Sequence, residues 1–167
     1  MGTVGQLSEA SQGILLDFVT SWELDPPTAE AFKQCDLSHP VNIGMTGAPG
    51  SYLAGGLLHY AAMLGDEALV RDMINAGAPL RQVDEAWTKK TPLQLACDHG
   101  RAGVVRLLLQ QQGVYNDQLT LAHTGSLCTE PLVFAWGMLE RHVRKHEVDY
   151  KGVRDAVETE RQRCKQK

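Results

Sequence analysis

No run of 18 apolar residues occurs in this chain of 167, so no membrane span is expected. The opening MGTVGQLSEASQ lacks a basic stretch followed by an apolar one, so no signal peptide is expected. Gly2 follows Met1, but Gln6 stands where a myristoylation pattern needs Ser or Thr. The four cysteines, Cys35, Cys97, Cys128 and Cys164, form no CxxC pair. They read as reduced thiols in a cytoplasmic protein. A surplus of basic charge is also missing. Residues 1–140 carry seven Lys or Arg against fifteen Asp or Glu, and residues 141–167 carry nine against five. An acidic body argues against nucleic-acid binding, and the basic tail reads as a solvated helix.

Recognisable chemistry is scarce as well. The stretch Gly44 to Ser51 has the glycines of a phosphate loop, but no lysine precedes Ser51 and no buried strand is expected to lead into it. It reads as a surface loop. His142 and His146 share one helical face, yet no Glu follows His142, and Arg141, Arg144 and Lys145 surround them. That positive field disfavours a cation, so a metal-binding or enzymatic role for this pair is only an alternative. Asp98 and His99 adjoin Cys97, but no glycine loop offers an oxyanion site nearby. No catalytic residue, cofactor or metal is assigned, and the chain is not read as an enzyme.

What the chain does have is a repeated unit. Residues 91–113 read TPLQLACDHGRAGVVRLLLQQQG. Thr91 can cap a helix and Pro92 fits its first position. Leu93, Leu95 and Ala96 form an apolar stripe, and Gly100 suits a left-handed helix end. Val104, Val105, Leu108 and Leu109 then lie on one face of a second helix, closed by Gly113. An upstream copy, GLLHYAAMLGDEALVRDMINAG at 56–77, aligns at an offset of 35. Leu58, Ala61, Gly65, Leu69 and Ile74 fall on Leu93, Ala96, Gly100, Val104 and Leu109. Gly56 and Leu57 replace the Thr-Pro start. A fainter copy begins at Glu130, where Pro131, Leu132 and Ala135 match Pro92, Leu93 and Ala96. It lacks the turn glycine, because Leu139 falls there. It reads as a terminal capping unit. A helix pair of this kind cannot bury its apolar faces alone and needs neighbours.

These residues resemble the ankyrin repeat, strongly in 91–113, fairly in 56–80 and weakly in 129–149. Gln94 departs from the family's usual His, which His59 supplies in the first copy. The offset of 35 also exceeds the family period of about 33. The resemblance implies an all-α fold: a short helix-turn-helix solenoid with helical N- and C-terminal caps. The expected layout is a single domain over 1–167. Residues 1–50 would be an N-terminal cap and loop, 51–128 two repeats, and 129–167 a degenerate repeat and C-terminal helix. Within the cap, residues 8–22 read as an amphipathic helix with Ile14, Leu15, Phe18, Val19 and Trp22 on one face. Ser8 or Ser11 would cap it. Pro26 and Pro27 break the chain, and Thr28 can start a second helix to about Leu37. Residues 38–55 read as a Gly- and Pro-rich loop.

The family resemblance implies a protein–protein interaction module. Its alternative on the same fold is an inhibitory or immunity-type protein that blocks an enzyme with its lengthened finger. Partner contacts are expected at the finger and the first-helix surface: Tyr52, Met63, Leu64, Trp87, Lys89, Lys90, Asp98 and His99. Trp87 reads either as an interface anchor or as a cover over the second repeat. Met63 and Leu64 read either as an exposed apolar patch or as packing for the N-terminal cap. Lys89 and Lys90 would favour an acidic partner segment. Asp98 and His99 are expected to point outward and Cys97 inward. His59 is expected to hydrogen-bond backbone between neighbouring repeats, and Gln94 to serve the same way.

Overall fold

The computed structural model describes residues 2–20, 34–38, 41–44, 52–83, 89–111, 113–115 and 148–167. Helix α1 spans Glu9–Thr20, α2 Leu57–Leu64, α3 Glu67–Asn75, α4 Pro92–Asp98, α5 Ala102–Leu109 and α6 Tyr150–Lys165. Two short strands, β1 (Val41–Gly44) and β2 (Tyr52–Gly55), precede α2.

The second repeat forms as its sequence dictates. Thr91 and Gln94 make a reciprocal capping box: Gln94 N donates to Thr91 Oγ1 at 3.3 Å, and Thr91 N to Gln94 Oε1 at 2.8 Å. Pro92 takes the first turn, where its lack of an N–H costs nothing. Gly100 follows the helix at φ +66°, a left-handed conformation that costs a residue with a Cβ roughly 1 kcal/mol or more. Gln94 therefore caps its own helix start, whereas the sequence suggested a bridge between repeats.

The first repeat repeats the plan with different caps. Gly56 begins α2 with no side chain to offer, and Gly65 ends it at φ +83°. Asp66 then caps α3, its Oδ1 accepting Leu69 N at 3.0 Å. At the matching place before α5 stands Arg101, whose side chain makes no cap.

The helices stack in two layers. The first helices α2 and α4 pack together, and so do the second helices α3 and α5. Every residue of α2 is buried, and so is every residue of α4 except Asp98. One apolar cluster runs from Val4 through both repeats to Val157. It takes in the predicted stripes: Leu58, Ala61 and Leu69, then Leu93, Leu95, Ala96, Val104, Val105, Leu108 and Leu109. Each large aliphatic side chain buried in this way contributes about 1.5–3 kcal/mol.

The flanks show three differences from expectation. At the N-terminus, α1 packs on α3 and Ser8 Oγ accepts Ser11 N, as predicted, with Leu15 and Ser11 buried. A further anchor was not foreseen: a 3-10 turn, Val4–Gln6, precedes α1, and Gly2 packs so tightly that a Cβ there would lie 2.0 Å from Ala76 O. Second, the helix expected from Thr28 to Leu37 does not reach its end. Residues 34–38 are turn, with Thr3 and Asp36 in a β-bridge, and 21–33 lie outside the described residues. Third, the stretch read as a loop holds an antiparallel strand pair, Val41 opposite Gly55 to Gly44 opposite Tyr52. In the sequence VNIG, Val41 and Ile43 alternate with Asn42 and Gly44, a local strand signal that the Gly and Pro around it obscured.

The C-terminal helix α6 packs along α5 as the next member of the second-helix layer. Val153 and Val157 are buried against it, so this helix belongs to the stack and only its outer face and end are solvated. The expected third-repeat helix from Glu130, with Cys128, His142 and His146, lies outside the described residues.

Candidate functional site

The expected interaction surface consists of a finger and the first-helix faces, and the structure treats the two differently. The finger leaves the first repeat after Gly77 and returns at Thr91. Arg81, Val83 and Lys89 are exposed along it, Val83 at 38%. Lys89 holds a left-handed φ of 55°. Trp87 lies outside the described residues. Tyr52 sits at the start of β2, where only the backbone is described.

The first-helix positions are closed. Met63 and Leu64 are only 4% and 3% exposed, so they belong to the core and form no exposed apolar patch. The reason is the close packing of α2 on α4, which leaves no outward face on a helix of eight residues. His99 is also buried, at 8% exposure, although an outward direction was expected. Burial first, then the charges of Arg101 and Lys90, lower its pKa to about 4, so the ring is neutral at physiological pH.

Lys90 and Asp98, two of the expected contacts, pair with each other. Lys90 Nζ donates to Asp98 Oδ2, and both side chains are largely covered. The basic spot on the finger therefore reduces to Lys89 at its exposed end. Lys90 is further held through its carbonyl, to which His59 Nε2 donates at 3.2 Å. This bond ties the first helix of one repeat to the finger of the next, the role expected of His59.

Two contacts that the sequence did not reveal hold the turns. Arg101, only 2% exposed, lays its stem over Gly65 and donates from Nε to Met63 O at 2.9 Å. Burial lowers its pKa, and Tyr150 opposes that effect. One repeat further on, Tyr150 lies over Gly100, and its hydroxyl donates to Asp98 O at 3.0 Å. Met63 and Asp98 occupy the same place in the two repeats, two residues before the turn glycine. In each case the next unit satisfies that carbonyl.

Cys97 points inward, as expected. Burial, helped by the Asp98 charge, pushes its thiol up to about 12. The thiolate needed for nucleophilic attack is thus strongly disfavoured. Among the described residues no three His, Cys, Asp or Glu side chains gather to hold a metal ion, and no helix is long and apolar enough to cross a membrane.

A groove of about 620 Å³ runs between α5 and α6 on the second-helix side, lined by Arg106, Leu109, Ala156, Glu160 and Arg163 among others. Leu109 is itself buried, and Arg163 is paired with Glu160, so its floor and one wall are already engaged.

The chain matches no curated protein and no solved structure. Its residues 58–131 match the family model described as ankyrin repeats (3 copies). Repeats of this family generally act as protein–protein interaction modules and are typically not enzymes. The stacked helix pairs, the left-handed glycines at both turns and the His59 bridge to the next finger agree with this match, which supports ankyrin repeats within residues 58–131.

Proposed function

We propose that this protein binds a partner protein through its finger, with Arg81, Val83 and Lys89 as the accessible contacts. The observation that carries this reading is the contrast in exposure. The finger presents two cations and an apolar side chain, while Met63, Leu64 and His99 are spent on the core. Trp87 and Tyr52 belong to the same proposal by their place in the chain, and tryptophan and tyrosine are the residues that most often anchor interfaces. Two exposed cations on an acidic chain favour a partner with an acidic segment. A role as an adaptor in the cytoplasm fits this reading.

The test uses affinity capture from the native source with the unaltered chain and two variants. Replacing Arg81→Glu, Val83→Asp and Lys89→Glu together removes the captured partner, and raising salt weakens capture by the unaltered chain. Arg71→Glu on the exposed side of α3 leaves capture intact. Equal capture by the finger variant would exclude this surface.

A further inference from the structure

We propose that His99 is a proton-sensitive latch beneath the C-terminal helix, and that its protonation releases α6 from the second repeat. The argument begins with the seat on which α6 rests. Asp98 O accepts the Tyr150 hydroxyl at 3.0 Å, and Gly100 O accepts Asp149 N at 2.8 Å. Val148 and Tyr150 crowd Gly100, where an added Cβ would lie 2.7 Å from Val148 Cγ1. The residue between these two carbonyls is His99.

His99 caps the end of α4, its backbone N–H donating to Leu95 O at 3.0 Å. Its ring is buried, and Nε2 has no hydrogen-bond partner. A neutral imidazole tolerates this, because its unprotonated nitrogen asks only for a weak acceptor role to be given up. An imidazolium does not, since both ring nitrogens then carry a hydrogen that needs an acceptor.

The charges around it oppose protonation from both sides. Lys90 approaches from the end of the finger and Arg101 from the start of α5. The nearby carboxylates are committed elsewhere. Asp98 holds Lys90, and Asp149 accepts Gly152 N at 2.8 Å as the cap of α6. Tyr150 is engaged with Asp98 O, and His59 with the carbonyl of Lys90. A proton on His99 would thus add a positive charge beside Lys90 and Arg101, and Nε2 has no acceptor among the described residues. Opening the 98–100 turn to water removes that conflict, and the two bonds that hold α6 are the ones that must part.

The direction in pH follows from the shift. The folded ring titrates near 4 and a solvated one near 6.5. The released state therefore binds the proton more readily. Docking of α6 is complete above pH 6.5 and weakens as pH falls toward 4. Between pH 7.5 and pH 5, linkage raises the released population about 30-fold.

Amide hydrogen exchange of the full chain tests this. After correction for intrinsic exchange, protection of the α6 amides falls about 30-fold from pH 7.5 to pH 5, while α3 keeps its own. His99→Leu fills the site without a titrating group and removes that pH dependence. Tyr150→Phe lowers α6 protection at both pH values and keeps the dependence, which separates the seat from the latch. A histidine NMR titration of the unaltered chain gives a His99 midpoint near 4, and the α6 amide signals move with that midpoint, which tests the coupling even if the Leu variant fails to fold. Equal α6 protection at both pH values, the same dependence in His99→Leu, or a His99 midpoint near 6.5 would each overturn the proposal.

Discussion

The two repeats share a register and differ at their seams. In the first, the turn glycine lies beneath a buried arginine from the second. In the second, the matching glycine lies beneath a tyrosine from the C-terminal helix. Both donors satisfy the same carbonyl position, Met63 O and Asp98 O. A left-handed turn leaves backbone acceptors uncovered, and burying them unpaired costs about 1–3 kcal/mol each. Each turn is therefore completed by the next unit along the stack. That is how a repeat array couples nearest neighbours, and α6 supplies the coupling where the described repeats end.

This contrast can be broken most sharply at the glycines. Gly100→Ala meets both a left-handed φ and the side chains of Val148 and Tyr150. It should cost about 2–4 kcal/mol, strain plus overpacking. Gly77 has an equally left-handed φ of 84°, but nothing lies closer to an added Cβ than Gly2 N at 3.9 Å. Gly77→Ala should cost only about 1 kcal/mol, the strain alone. Urea unfolding of the pair separates the two contributions, and equal losses would remove the role given to α6.

Next in size is the inner seam. Arg101→Ala strips the stem from Gly65 and leaves Met63 O without its donor. The expected loss is about 2–3 kcal/mol, read from the urea midpoint. A neutral outcome would mean that the cost of burying the guanidinium cancels its contribution.

The smallest effect concerns the helix starts. Thr91→Ala dissolves a capping box and should cost about 1 kcal/mol. The reverse gift to the first repeat should fail. In Gly56→Ser the Cβ would lie 2.8 Å from Gln82 Oε1 and 3.1 Å from Leu37 O, so the cap is offset by crowding. A stabilised Gly56→Ser, by thermal unfolding, would show that the first repeat simply lacks a cap it has room for.

Much of the scaffold was legible because local chemistry and repeat register agree there. Thr91, Pro92, Gly65 and Gly100 mark helix ends by backbone requirement alone, and the apolar stripes follow from spacing. His59 was readable through its family position. The seams were not readable, because they join residues distant in sequence. Nothing in the string DHGRAG says that Arg101 turns back to Met63, or that Tyr150 crosses 52 residues to Asp98. The surface reading suffered for the same reason. Met63, Leu64 and His99 sit at family contact positions, but how well α2 and α4 close on their neighbours depends on the whole stack. Lys90 and Asp98 looked like two separate hooks and prove to be partners. The strands at 41–44 and 52–55 were hidden by the glycines and prolines around them.

The central claim is that α6 completes the second repeat. Urea unfolding of the chain ended at Val148 tests it most directly, since this removes Tyr150, Val153 and Val157 together. The account predicts a clearly lower midpoint, with the amides of α5 losing protection more than those of α3. An unchanged midpoint, with α5 protected as before, would contradict it.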